Sequence, residues 1–135
     1  MADVTVVAAS VRPLAGAITR RFTAGEAMTP GQPVYVSAND TVSLTDGSTL
    51  AAAMCVGIVV SGANGGATIA SGEEVDVVVF GPVTGYSTNM AAGTTFYVDD
   101  DAGIIADAVG TKTTVIGVGI NASTMLVNPV KISVS

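Results

Sequence analysis

Two stretches of the chain repeat each other about sixty residues apart, so the fold has to accommodate both copies. Met28-Thr-Pro-Gly31-Gln-Pro-Val34-Tyr35-Val36 recurs as Met90-Ala-Ala-Gly93-Thr-Thr-Phe96-Tyr97-Val98, and Val56-Gly57-Ile58 is answered by Ile116-Gly117-Val118. The first pair is offset by 62 residues and the second by 60, so the copies differ by a small loop deletion. Each copy reads as a turn with Gly, a strand carrying an aromatic, and an aliphatic strand interrupted by Gly. Tyr35 and Tyr97 are therefore expected in equivalent places. Gly57 and Gly117 are expected at bulges, bends or close backbone approaches. No acid, base or nucleophile recurs. The duplicated part is a scaffold, with these four residues as its repeat-core positions.

The rest of the chain is also strand-like. Residues 4–8, 33–36, 41–44, 54–60, 75–80, 95–98, 113–120 and 125–134 are rich in Val, Ile, Thr and Tyr. Turn residues separate them, among them Asn39-Asp40, Asp46-Gly47, 62–66, Ser71-Gly72 and Asp101-Ala-Gly103. Only Ser48 offers a helix signal, as the cap of a short turn through Leu50 and Ala53. The expected fold is all-β: a small sandwich or barrel built from two related units, 22–86 and 87–135, or one merged domain over 22–135. Residues 1–21 are expected to form an extended N-terminal arm, its first sixteen residues outside the repeated core.

Composition narrows the function. Hydrophobic residues make up 49% and charged residues 12% of the 135, about half the usual charged share, and mean hydropathy is +0.61. No apolar run approaches the roughly 20 residues of a membrane span, so no membrane is expected as a partner. Burial of some surface between subunits is, which makes the chain a homo-oligomer. Residues 1–21 carry Arg12, Arg20 and Arg21 against Asp3, a net of +2, while 22–135 carry Lys112 and Lys131 against ten acids, a net of −8. An acidic body does not suit nucleic acid, which requires a basic face. It does suit a basic segment that docks on something acidic. The N-terminus lacks a signal-peptide pattern, which points to synthesis in a cytoplasm.

Candidate chemistry is sparse. The sequence has no His, which removes Ser-His-Asp and Cys-His catalysis and ordinary zinc sites. Cys55 is the single cysteine and lies in an apolar strand, a place for a small hydrophobe rather than a nucleophile. Gly117-Val-Gly119-Ile-Asn-Ala122 imitates a dinucleotide fingerprint, but no helix pattern follows it. Asp99, Asp100 and Asp101 could offer oxygens to Ca²⁺, with Asp107 approaching across a hairpin. Neighbouring Asp residues in a strand point to opposite faces, and local turn hydrogen bonds are the simpler role. The reading is that the protein is not an enzyme and carries no cofactor and no metal. A Ca²⁺-dependent enzyme centred on the three Asp is the reading against it.

The segment 24–36, ending Gly31-Gln-Pro-Val34-Tyr35-Val36, followed by a polar hairpin and Val56-Gly57-Ile58-Val59, resembles the capsid decoration (cement) proteins of tailed bacteriophages. Ala92-Gly93-Thr-Thr-Phe96-Tyr97-Val98 with Ile116-Gly117-Val118 is similar to the ending of such chains. The resemblance covers residues 24–130, and its motifs encode turns and strands. It implies a small β-rich structural protein of the virion, often a trimer, on the outer surface of an assembled head. There it would bind the major capsid protein and stabilise contacts between its subunits. Arg12, Arg20 and Arg21 are the residues then expected to meet shell carboxylates. The alternative is a receptor- or glycan-binding β-module of a head fibre or tail component.

Overall fold

In a computed structural model the chain is all-β, and the structure describes residues 3–62, 68–87 and 89–131. The expected turn at 62–66 lies outside them from 63 onward, as do Met1, Ala2 and the last residues of the expected strand 125–134. Ten strands form one mixed sheet: β1 (Arg12–Pro13), β2 (Ile18–Ala24), β3 (Pro33–Ala38), β4 (Thr41–Leu44), β5 (Cys55–Gly62), β6 (Glu74–Thr84), β7 (Thr95–Val98), β8 (Ile105–Ala106), β9 (Thr114–Gly119) and β10 (Thr124–Lys131). Among the described residues the helical content is a 3₁₀ turn at Ala8–Ser10, and no helix is long and apolar enough to cross a membrane. The expected helical turn near Ser48 is present in reduced form. Thr49 caps it: its carbonyl accepts the Ala53 N–H at 3.1 Å and its hydroxyl the Ala52 N–H at 3.4 Å. Ser48 donates instead to Asp46.

The repeat is visible in the strand register. Leaving out the strands before β3, the order is β4-β3-β5-β6-β10-β9-β7-β8, which reads as one four-strand unit followed by its mirror. Val34 pairs with Gly57, and Tyr35 with Cys55 across a bulge. In the second unit Phe96 pairs with Gly117, and Tyr97 with Val115 across the same bulge. Tyr35 and Tyr97 are both half-buried, and the deepest positions are their neighbours Val34 and Phe96. Gly31 and Gly93 hold the repeated turn with φ of +96° and +79°, a region L side chains avoid. A Cβ on Gly57 would run into the carbonyl oxygen of Val78, and one on Gly117 into that of Leu126. Both glycines are therefore required by close approach of the next strand.

Neither unit closes by itself. In the first, β4, β3, β5 and β6 form an open sheet, and β2 completes the ring by pairing antiparallel with β6 and parallel with β4 at Thr23 and Ala24. In the second, residues 3–7 bridge the gap between β8 and the end of β6. Asp3 pairs with Ala106 and Val6 with Tyr86. The Val4 N–H donates to the Ile105 carbonyl and the Val7 N–H to that of Gly85, each at 2.8 Å. The N-terminal segment is thus extended and outside the repeat, yet it lies within the body: Val4 and Val11 are buried in the core. It is laid in because each unit leaves two strand edges whose backbone groups would otherwise stay unpaired.

β6 serves both units. Its first half pairs with β5 and β2, and its second half, past Gly81, with β10 and β1. One face of the β5–β6 pair sends Val59, Val75 and Val77 into the first core, and the other sends Ile58, Val60 and Val78 into the second. Burial on both faces explains the unbroken apolar runs there, as in any strand covered on both sides. Tyr86 also joins the units, its buried hydroxyl donating to the Gly31 carbonyl at 3.3 Å.

Candidate interaction surface

The segment from Arg12 to Ala24 runs antiparallel along the whole of β6, from Arg12 opposite Thr84 to Thr23 opposite Glu74. Backbone groups of successive strand residues point to alternate sides. The Ala24 N–H donates to the Glu73 carbonyl on the β6 side, while the Thr23 N–H donates to the Asp40 carbonyl on the β4 side. Thr19 and Arg21 share the parity of Thr23, so their N–H and C=O groups point away from β6. Among the described residues no strand pairs there, since β4 reaches only Thr23 and Ala24. Residues 18–22 therefore present an edge ready for another strand.

The expected contact arginines all lie on this segment, and all are exposed. Arg21 is already engaged. It faces its register partner Asp76, with Nε 2.9 Å from Oδ1 and the fork's second nitrogen 3.2 Å from Oδ2. Its hydrogen bond and attraction to Asp76 raise the guanidinium pKa further. Arg20 lies over the Phe22 ring at 6.0 Å. Among the described residues neither Arg12 nor Arg20 has an acidic partner within 4.0 Å. Ile18 and Phe80, opposite each other in register, add an exposed apolar pair at one end of the edge. Sequence reading put the arginines in an arm and missed β2, although Ile18, Thr19, Phe22 and Thr23 are good strand formers.

The three Asp are not brought to one centre. Asp99 is buried and its carboxylate accepts the Asp101 N–H at 3.1 Å. Asp100 accepts the backbone N–H of Thr111 at 2.8 Å and its hydroxyl at 2.6 Å. The Asp99 bond is the expected local turn bond, whereas Asp100 reaches eleven residues along the chain to tie down the loop before β9. Among the described residues no group of three or more His, Cys, Asp or Glu could hold a metal ion. Cys55 packs its thiol against the core, and burial pushes its pKa up to about 12, which leaves almost no thiolate at neutral pH. Compared with known proteins, the chain matches no family model and no curated protein sequence.

Proposed function

We propose that the chain is a structural protein of a phage virion. It is made in the host cytoplasm and docks on the outer surface of an assembled head. It binds the major capsid protein there and stabilises the contacts between its subunits. The observation that carries this reading is the open β2 edge with Arg20 on it and Arg12 further along the same segment on β1, on a body whose net charge is otherwise negative. An extended segment of a shell protein can add to that edge through backbone hydrogen bonds, with its carboxylates meeting the arginines. The edge also disfavours its own kind. Antiparallel pairing of two copies centred on residue 20 or 21 would set arginine directly against arginine, which destabilises a strand pair. Weak single contacts become firm when repeated over a lattice, especially for a homo-oligomer such as the trimer the resemblance implies.

The test is light scattering of the purified protein with heads stripped of accessory proteins. Saturable binding at a fixed ratio to shell subunits, with a raised shell melting temperature, is expected. Combining R12E with R20E should weaken binding and reduce its salt dependence while leaving the fold intact. A protein that ignores shells but retains a glycan on an array would instead fit the receptor-binding module.

A further inference from the structure

The repeat reaches one strand further than its sequence shows. Val77 and Met125 are equivalent, because they pair with Val59 and Gly119, which stand two residues past Gly57 and Gly117. Val78 and Leu126 match in the same way through Ile58 and Val118. On their other side Val77 and Val78 pair with Arg20 and Thr19, while Met125 and Leu126 pair with Val83 and Pro82. Next in line, Arg21 opposite Asp76 matches Thr84 opposite Thr124. The second half of β6 is therefore the β2 of the second unit, with Pro82, Val83 and Thr84 standing where Thr19, Arg20 and Arg21 stand.

The outer edge of this strand is covered in one unit and bare in the other. In the second, Arg12 and Pro13 lie antiparallel opposite Thr84 and Val83, and the Leu14 N–H donates to the Pro82 carbonyl at 3.0 Å. The Pro82 carbonyl thus points outward, as the alternation of β2 requires of its counterpart Thr19. In the first unit the N–H and C=O groups of Thr19 and Arg21 face outward, and among the described residues no strand pairs with them. Thr19 keeps a donor that Pro82 lacks, so the bare edge offers more ladder bonds than the covered one. Donors and acceptors side by side fit a peptide backbone and no simple ion.

Side chains decide which peptide. Along β2 they alternate, with Ile18, Arg20 and Phe22 on one face and Thr19, Arg21 and Thr23 on the other. On the second face the charge of Arg21 is already met by Asp76. On the first, Arg20 is exposed, has no acidic partner within 4.0 Å among the described residues, and lies between half-buried Phe22 and exposed Ile18. We propose that the bare edge binds an extended segment of a partner protein, antiparallel to β2 in the register that Arg12 to Leu14 keep on β6. The residue opposite Arg20 is Asp or Glu, and the residues two before and two after it, opposite Phe22 and Ile18, are apolar. Unlike charges and apolar pairs set directly across such a ladder stabilise it. The proposal rests on the docking reading above for the source of the segment, whose chemistry can be tested apart from it.

The test is amide hydrogen exchange, followed by NMR, of the full chain alone and with an excess of a blocked peptide containing Val-Thr-Glu-Thr-Val. Alone, the Thr19 and Arg21 amides should exchange fast, and those of Arg20 and Phe22, bonded to β6, slowly. The peptide should slow Thr19 and Arg21 by about tenfold or more at saturation. Lysine in place of its glutamate should abolish the protection, and R20E should bind the lysine peptide and lose the glutamate one. R20Q serves as a second variant should R20E fold poorly, and should show no preference between the two. No slowing at excess peptide, or equal slowing of the unsubstituted chain by both peptides, would overturn the proposal. So would protection of these amides that rises with protein concentration alone, which would give the edge to a second copy. Stripped heads that bind the chain although the peptide does not would sink this proposal and leave the docking reading standing. Peptide binding without head binding would do the reverse.

Discussion

Replacing Gly57 or Gly117 with Ala tests whether the duplicated register is a physical constraint. In both places the new methyl would meet a carbonyl oxygen of the next strand, that of Val78 or of Leu126. The obstruction is backbone within a ladder and cannot rotate away, unlike a side-chain tip. Forcing a methyl into a packed interior costs about 1–3 kcal/mol, and the immobile obstacle places these sites at the upper end, near 3. Loss of unfolded-state freedom returns about 0.4–1 kcal/mol, leaving a net destabilisation of about 2–3 kcal/mol. At roughly 4 °C per kcal/mol for a chain of this size, each variant should melt about 10 °C below wild type. Gly72 is the control, because it has φ of +90° but nothing within 4 Å of an added Cβ. Gly72→Ala should cost only the left-handed penalty, about 1 kcal/mol. Calorimetry of the three variants measures this directly. A loss below about 0.5 kcal/mol at Gly57, or costs at Gly57 and Gly117 differing by more than about 2 kcal/mol, would refute the equivalence of the two units.

Tyr86→Phe removes a buried hydroxyl that binds the Gly31 carbonyl and should cost about 1 kcal/mol, read as a small drop in the denaturation midpoint at unchanged m-value. Cys55, with its pKa pushed up to about 12, should resist thiol reagents at pH 8 in the folded protein and react promptly in denaturant. The same shift has a sign: above about pH 9 the unfolded thiol loses its proton while the folded one keeps it, so stability falls with rising pH. Tyr86, also shifted upward by burial, steepens that fall from about pH 10, and Cys55→Ala should remove the earlier part of it. Asp76→Ala breaks a largely solvent-exposed pair with Arg21 and should change stability by less than about 1 kcal/mol, with the difference shrinking as salt rises.

The repeated strands were the legible part of the sequence, because local patterns encode them. The turns at Gly31 and Gly93, the buried Val34 and Phe96, and the glycines opposite them are all readable without knowing what lies across the sheet. What closes each unit was not legible. Val4 and Val11 look like ordinary apolar residues, and their burial depends on the hydrogen bond from Val4 to Ile105 and on the packing of Val11 against Gly85, far along the chain. β2 was hidden because its first four residues are exposed on both faces, so it lacks the alternation that marks a half-buried strand. β6 runs on through Gly81-Pro82 to Thr84, past the end expected for its strand at residue 80. Pro82 leaves no acceptor short there, because the Leu14 N–H donates to its carbonyl at 3.0 Å while the Leu14 carbonyl accepts the Ala17 N–H at 3.1 Å. Pro129 falls where the β9–β10 register shifts between Val127 and Val130, a place that requires no donor.

Closure by the N-terminal segment also changes how its arginines can act. A free arm would lose backbone freedom on docking, about 1–2 kcal/mol for each residue ordered. Here that cost is met during folding, since residues 12–24 are fixed along β6 before any partner arrives. Arg12 and Arg20 are then held on a preorganised edge, which favours affinity in a way a disordered arm does not. The same fact decides how the arginines must be tested. Deleting the first sixteen residues would take away Val4 and Val11 and reopen the ring of the second unit, so lost binding would report unfolding. Charge reversal at Arg12 and Arg20, both exposed and without acidic partners among the described residues, leaves the closure in place and separates docking from folding.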